Sequence, residues 1–115
     1  MHADPQIPDR WRNRLAQVLD ADETVVAWFE PDLDARLFFT SGLVVLTDRR
    51  LAEWADTAEG TPVRQWPFRT DLSLQQSDHA GVGQLELHDA QGRLARWRHT
   101  LSLQASVNLL TTEFA

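Results

Sequence analysis

Residues Gly42–Leu51 read GLVVLTDRRL, and this stretch decides how the rest of the chain is read. Leu43-Val44-Val45-Leu46-Thr47 is apolar, β-branched and too short for a helix, so it predicts the most buried strand of the chain. Asp48-Arg49-Arg50 is a tight polar corner, and Leu51–Ala55 (LAEWA) is the next strand. Upstream, Thr24–Phe29 (TVVAWF) is β-branched and aromatic and ends at Pro31. Arg36–Thr40 is a further short strand, turned by Ser41-Gly42 into the central one.

Working outward, the alternation continues downstream. Thr57–Pro62, with Gly60, reads as a hairpin loop, and Val63–Trp66 as a strand cut by Pro67. Leu72 and Leu74 alternate with polar residues over Asp71–Gln76. Ser77–Gly83, with two glycines, reads as a loop. Leu85 and Leu87 alternate with Gln84, Glu86 and His88, and Asp89-Ala90-Gln91-Gly92 turns the chain into Arg93–Arg98.

Helical spacing appears at both ends. Asp9 predicts an N-cap for a helix near Arg10–Leu19, with Trp11, Leu15, Val18 and Leu19 on one face. Leu103, Val107, Leu110 and Phe114 give a second apolar face over 102–114. Residues 1–8, with Pro5 and Pro8, read as a disordered lead-in, and 9–115 as one domain: helix 9–20, strands 24–98, helix 102–114. Short strands with a turn every few residues predict a mainly β, α+β fold. The expectation is a small antiparallel barrel or a pair of packed sheets, with a terminal helix closing one end.

Composition excludes several chemistries. The chain has 115 residues, 43% of them hydrophobic and 24% charged, which suits one globular domain. Without cysteine there is no disulfide, thiol nucleophile or Cys-ligated metal site. All eleven basic residues are arginine, so there is neither a phosphate-loop lysine nor a Schiff-base lysine. A formal charge of −6 disfavours nonspecific nucleic-acid binding and bulk attraction to anionic lipid. Apolar runs are too short to span a bilayer.

Individual candidates are thin. The histidines His2, His79, His88 and His99 have no zinc spacing, and His88 is expected to face water. Ser41-Gly42 is not a hydrolase elbow, and Gly81-Val82-Gly83 precedes a strand where a dinucleotide fingerprint needs a helix. Asp32-Leu33-Asp34 opens like a calcium loop that Arg36 and Phe38 do not continue. Glu30 with Asp32, or Glu53 with Asp56, are carboxylate pairs of a kind any acidic barrel offers. Trp28, Trp54, Trp66 and Trp97 fall in strands, either as core or as a partner surface. Arg49 and Arg50, with Arg93, Arg96 and Arg98 around Trp97, read either as an anion patch or as solvated edge-strand charge. No cofactor is indicated.

GLVVLTDRRL resembles the strand-turn-strand signature of bacterial pleckstrin-homology-like (PH-like, GRAM-like) domains, carried by Gly42, Thr47, Asp48, Arg49, Arg50 and Leu51. Gln65-Trp66-Pro67-Phe68, the Leu85–Gly92 hairpin and the Leu103–Phe114 helix follow the same order. With Val25–Asp34 (VVAWFEPDLD), the chain is similar to the N-terminal accessory domain of bacterial ABC exporters, some associated with cyanophycin metabolism. The resemblance implies a barrel of about seven strands capped by a helix, with an extra N-terminal helix. It implies a non-catalytic interaction module at the cytoplasmic face of the membrane. Its partner would be another protein or the rest of its own transporter chain. Phosphoinositide-binding members use a basic first loop, whereas Glu30–Arg36 is acidic.

Overall fold

Apolar residues at every position from Leu43 to Leu46 need cover on both faces of their strand, and the fold supplies it. The computed structural model describes residues 7–33, 42–55 and 64–114. Helix α1 (Asp9–Val18) leads into strands β1 (Val25–Phe29), β2 (Gly42–Thr47), β3 (Arg50–Ala55) and β4 (Arg64–Pro67). Strands β5 (Ser73–His79), β6 (Val82–Asp89) and β7 (Gly92–Thr100) follow, then a 3-10 turn (Leu101–Leu103) and helix α2 (Gln104–Phe114). The strands form two antiparallel sheets in sequential order, β1-β2-β3-β4 and β5-β6-β7.

One face of the first sheet packs on the second sheet and α2. Phe29, Val44, Leu46 and Leu51 meet Leu85, Leu87, Trp97, Val107 and Leu110 there. On the other face, Trp11, Leu15 and Leu19 cover Leu43, Val45, Ala52 and Trp54. Thus β2 is buried on both sides because α1 makes a third layer. A bulge between Val25 and Ala27 in the β1–β2 register turns both Val26 and Ala27 toward the inner core. Each large apolar side chain buried this way contributes about 1.5–3 kcal/mol.

The two sheets do not close into a barrel among the described residues. A single bridge, Leu33 to Arg98, joins the chain leaving β1 to β7. Beside it, Asp32 accepts the Thr100 backbone N–H (2.8 Å) and the Thr100 hydroxyl (2.6 Å). At the far side, residues 68–72 turn between β4 and β5 without a ladder.

Several sequence expectations shift. Pro8, not Asp9, occupies the N-cap of α1, and its carbonyl accepts the Trp11 N–H at 3.0 Å. Ile7, read as part of the lead-in, is buried against α1. Ser77–Gly83 is not a loop: β5 continues to His79 and β6 begins at Val82. Ala80 and Gly81 both have positive φ (53° and 82°), the requirement of a two-residue type I′ hairpin. The polar letters there belong to an exposed edge strand. Gly83 has a different role, because a Cβ on it would lie 2.1 Å from the buried His99 ring. The expected strand Arg36–Thr40 and the loop Thr57–Pro62 lie outside the described residues, as do residues 1–6.

Candidate functional site

The Thr47–Arg50 corner holds the α1–β1 connection. The Thr47 hydroxyl accepts the backbone N–H groups of Arg49 and Arg50, both at 3.1 Å, which sets the tight turn. It donates to Glu23 Oε2 at 2.5 Å. Arg50 Nε and Nη2 donate to Glu23 Oε2 (2.9 Å) and Oε1 (2.6 Å), a two-point pair on a fully buried carboxylate. Hydrogen bonding from Arg50, with Thr47 and the Asp20 backbone behind it, holds the Glu23 carboxyl down at about 2 despite its burial. Arg49 reaches Asp20 (2.8 Å) and Asp22 (2.6 Å), and its hydrogen bond lowers the Asp22 carboxyl. Asp48 accepts the Thr24 N–H at 3.0 Å. Every side chain of Thr47-Asp48-Arg49-Arg50 therefore grips the segment from Asp20 to Thr24.

The second arginine group lies on the other sheet. Glu86 Oε2 accepts from both Arg93 and Arg96, each at 3.1 Å, and His88 Nε2 lies 3.3 Å from Oε1. Partial burial raises the Glu86 carboxyl, but hydrogen bonds from Arg96 and His88 outweigh it and leave the carboxyl lowered. Arg98 sits farther along β7, opposite Gln84 and bridged to Leu33. Trp97 points the other way, into the core, where it is buried. Its indole N–H donates to Glu53, which Arg64 grips at 3.0 and 3.2 Å. Trp66 meets Trp97 edge-on at 5.8 Å. Thus the sequence-level cluster Arg93–Arg98 splits across two faces, and the Arg49-Arg50 corner belongs to a different sheet.

Other candidates resolve into structural contacts. Glu30 accepts from the Trp11 indole (2.9 Å) and from Arg10, while Asp32 serves Thr100, so the two carboxylates do not act on one point. Asp56, Ser41 and His2 lie outside the described residues. Among the described residues, no three His, Asp or Glu side chains are placed to hold a metal ion. Glu23, Glu53 and Glu86 each join two or more side chains. No motif marks them, because each is defined by a partner far along the chain or across a strand.

The surface carries one feature that spacing did not show. A cleft of about 380 Å³ opens beside the end of α2, lined by Val26, Leu46, Phe68, Leu72 and Phe114, with Asp48 and Glu113 among its polar members. Phe68 is 45% exposed and meets Phe114 edge-on at 5.9 Å. A second cleft of about 330 Å³ lies at the β5–β6 hairpin, between His79, Gln84 and Arg98. Comparison of the chain with protein-family models, curated proteins and solved structures returned no match.

Proposed function

We propose that this chain is a non-catalytic interaction module of the PH-like kind, working through contact with another polypeptide. The observation that carries the reading is architectural. A four-stranded and a three-stranded antiparallel sheet pack face to face, and a C-terminal helix lies against β1 and the inner core. That is the order the GLVVLTDRRL resemblance implies. The corner residues of that motif are consumed in holding the fold together, as a scaffold signature requires. The resemblance makes the remainder of an ABC exporter the first partner to test. Four of the five arginines of the candidate anion patch, Arg49, Arg50, Arg93 and Arg96, each face a carboxylate, which favours the interaction reading over anion binding.

The test has two steps. Reading the gene beyond the Ala115 codon is expected to reveal about six apolar spans and a G-x-x-x-x-G-K-S/T loop. A stop codon there overturns the transporter assignment. The isolated chain is then titrated against the rest of that polypeptide in detergent, where saturable binding is expected. Its absence overturns the interaction reading.

A further inference from the structure

We infer that the cleft beside the end of α2 is a docking groove for a polypeptide segment that pairs an apolar side chain with an adjacent arginine or lysine. The inference rests on the interaction-module reading and names the surface and the chemistry of its partner.

The walls, the volume and the charges of the cleft point the same way. The walls are aromatic and partly uncovered: Phe68 is 45% exposed and stacks edge-on against the half-buried Phe114. An exposed large aromatic beside a concave apolar floor, here Leu46 and Leu72, is the usual anchor of a protein contact. The volume, about 380 Å³, is large enough to admit a side chain.

The rim is acidic and not neutralised. Among the described residues the Asp48 carboxylate takes the Thr24 backbone N–H alone. Among the described residues neither Asp48 nor Glu113 has an arginine within ion-pair distance. Arg69 also lines the cleft, but its guanidinium is shared between Asp71 and Asp89, each at 3.3 Å. Other carboxylates of the described residues are paired with arginine, Glu23, Glu53 and Glu86 among them. The mouth of this groove is left with two unmatched negative charges, so it is complementary to a cationic side chain.

Among the described residues, two of the cleft's polar side chains are already engaged, Arg69 with Asp71 and Asp89, and Thr47 with Glu23 and its own turn. A lining that mixes apolar and charged side chains is the composition of a polypeptide interface.

The probe is a displayed library of random heptapeptides selected on the purified chain, with enriched sequences then synthesised and titrated. The expected consensus is a large apolar residue next to arginine or lysine. Phe68→Ser and Glu113→Lys are each expected to weaken binding by about tenfold or more. Far-UV circular dichroism checks that both variants keep the fold, and Glu113→Lys alters only the rim. Enrichment of acidic or purely apolar peptides overturns the inference, as does the absence of enrichment. Peptides whose binding survives both substitutions also overturn it, while leaving the interaction-module reading standing.

Discussion

The two outer faces of the molecule carry the same charged residue types in opposite settings. On the first sheet the outer face is apolar and covered by α1, and the acids near it, Glu23 and Glu30, are held by Arg50 and by Arg10 with Trp11. On the second sheet the cross-strand rows read Ser73–His88–Arg93, Gln75–Glu86–Arg96 and Ser77–Gln84–Arg98. Gln75, Ser77, Arg93 and Arg96 are exposed there. The same Arg–Glu pair is therefore expected to be a structural necessity under cover and to contribute little in the open. A buried carboxylate deprived of its cation has nowhere to be solvated, whereas an exposed one turns to water.

The covered face is broken most directly by Trp11→Ala. Trp11 is fully buried among Leu15, Leu43 and Trp54, so its removal leaves a cavity and deprives Glu30 of the indole donor. The expected loss is about 3–5 kcal/mol, a large share of the ~5–15 kcal/mol that holds a domain. Urea unfolding monitored by circular dichroism measures it. A loss below about 1 kcal/mol would show that α1 does not cover the sheet.

Glu23→Gln comes next. The substitution leaves the Arg50 guanidinium beside a neutral amide, at an expected cost of about 3 kcal/mol or more. The pH dependence has a definite sign. The folded carboxyl sits at about 2 against an ordinary value of 4.5, so its contribution is complete above 4.5 and is lost as pH falls toward 2. At about 1.4 kcal/mol per pKa unit this amounts to roughly 3 kcal/mol. Subtracting the variant's stability-versus-pH curve from that of the wild type isolates this residue from the other carboxylates. A difference that stays flat through that window would mean that Glu23 is not held by Arg50.

Gly83→Ala tests the inner side of the second sheet. The new methyl group would stand 2.1 Å from Cε1 of His99, a ring that is buried, edge-on to Phe29 at 6.0 Å and tied to the Thr100 carbonyl at 2.8 Å. The ring must move, at an expected cost of about 1–3 kcal/mol. Gly83→Ala combined with His99→Ala is expected to be less than additive, since the clash then disappears. Full additivity would place the cost elsewhere.

How far the sequence reaches is itself explained by this comparison. Periodicity found both helices and most strands, because burial on one or both faces writes a period into the apolar residues. It misread β5 as ending in a loop, since Gln75-Gln76-Ser77-Asp78-His79 is an edge strand exposed at every one of these positions and leaves no apolar trace. The turn of Ala80 and Gly81 carried the only local sign. The motif Thr47–Arg50 was legible as a corner, but its partners were not, because Glu23 lies twenty-seven residues before Arg50. Glu86 was hidden by one residue. Counting back from the Asp89–Gly92 turn places Ala95 opposite it, and only the bulge after Leu87 brings Arg96 into register. The cleft between Phe68 and Phe114 depends on packing a helix end against a turn, and neither residue signals the other in the sequence.

The smallest expected effect closes the comparison. Glu86 binds Arg93, Arg96 and His88, more partners than many buried acids have, and a tally of contacts would rank it among the most important residues. The setting argues otherwise. Glu86 is 18% exposed, but Arg93 and Arg96 are 45% and 32% exposed, so water and salt replace most of what the carboxylate provides to them. Glu86→Gln is therefore expected to cost less than about 1 kcal/mol, and less still as salt is raised. Urea midpoints at low and high salt, set beside those of Glu23→Gln, give the contrast. A loss at Glu86 equal to that at Glu23, and insensitive to salt, would mean that the open face of the second sheet is covered in solution. The bare sheet would then be an occupied interface, and the search for a partner would move from the Phe68 groove to β6 and β7.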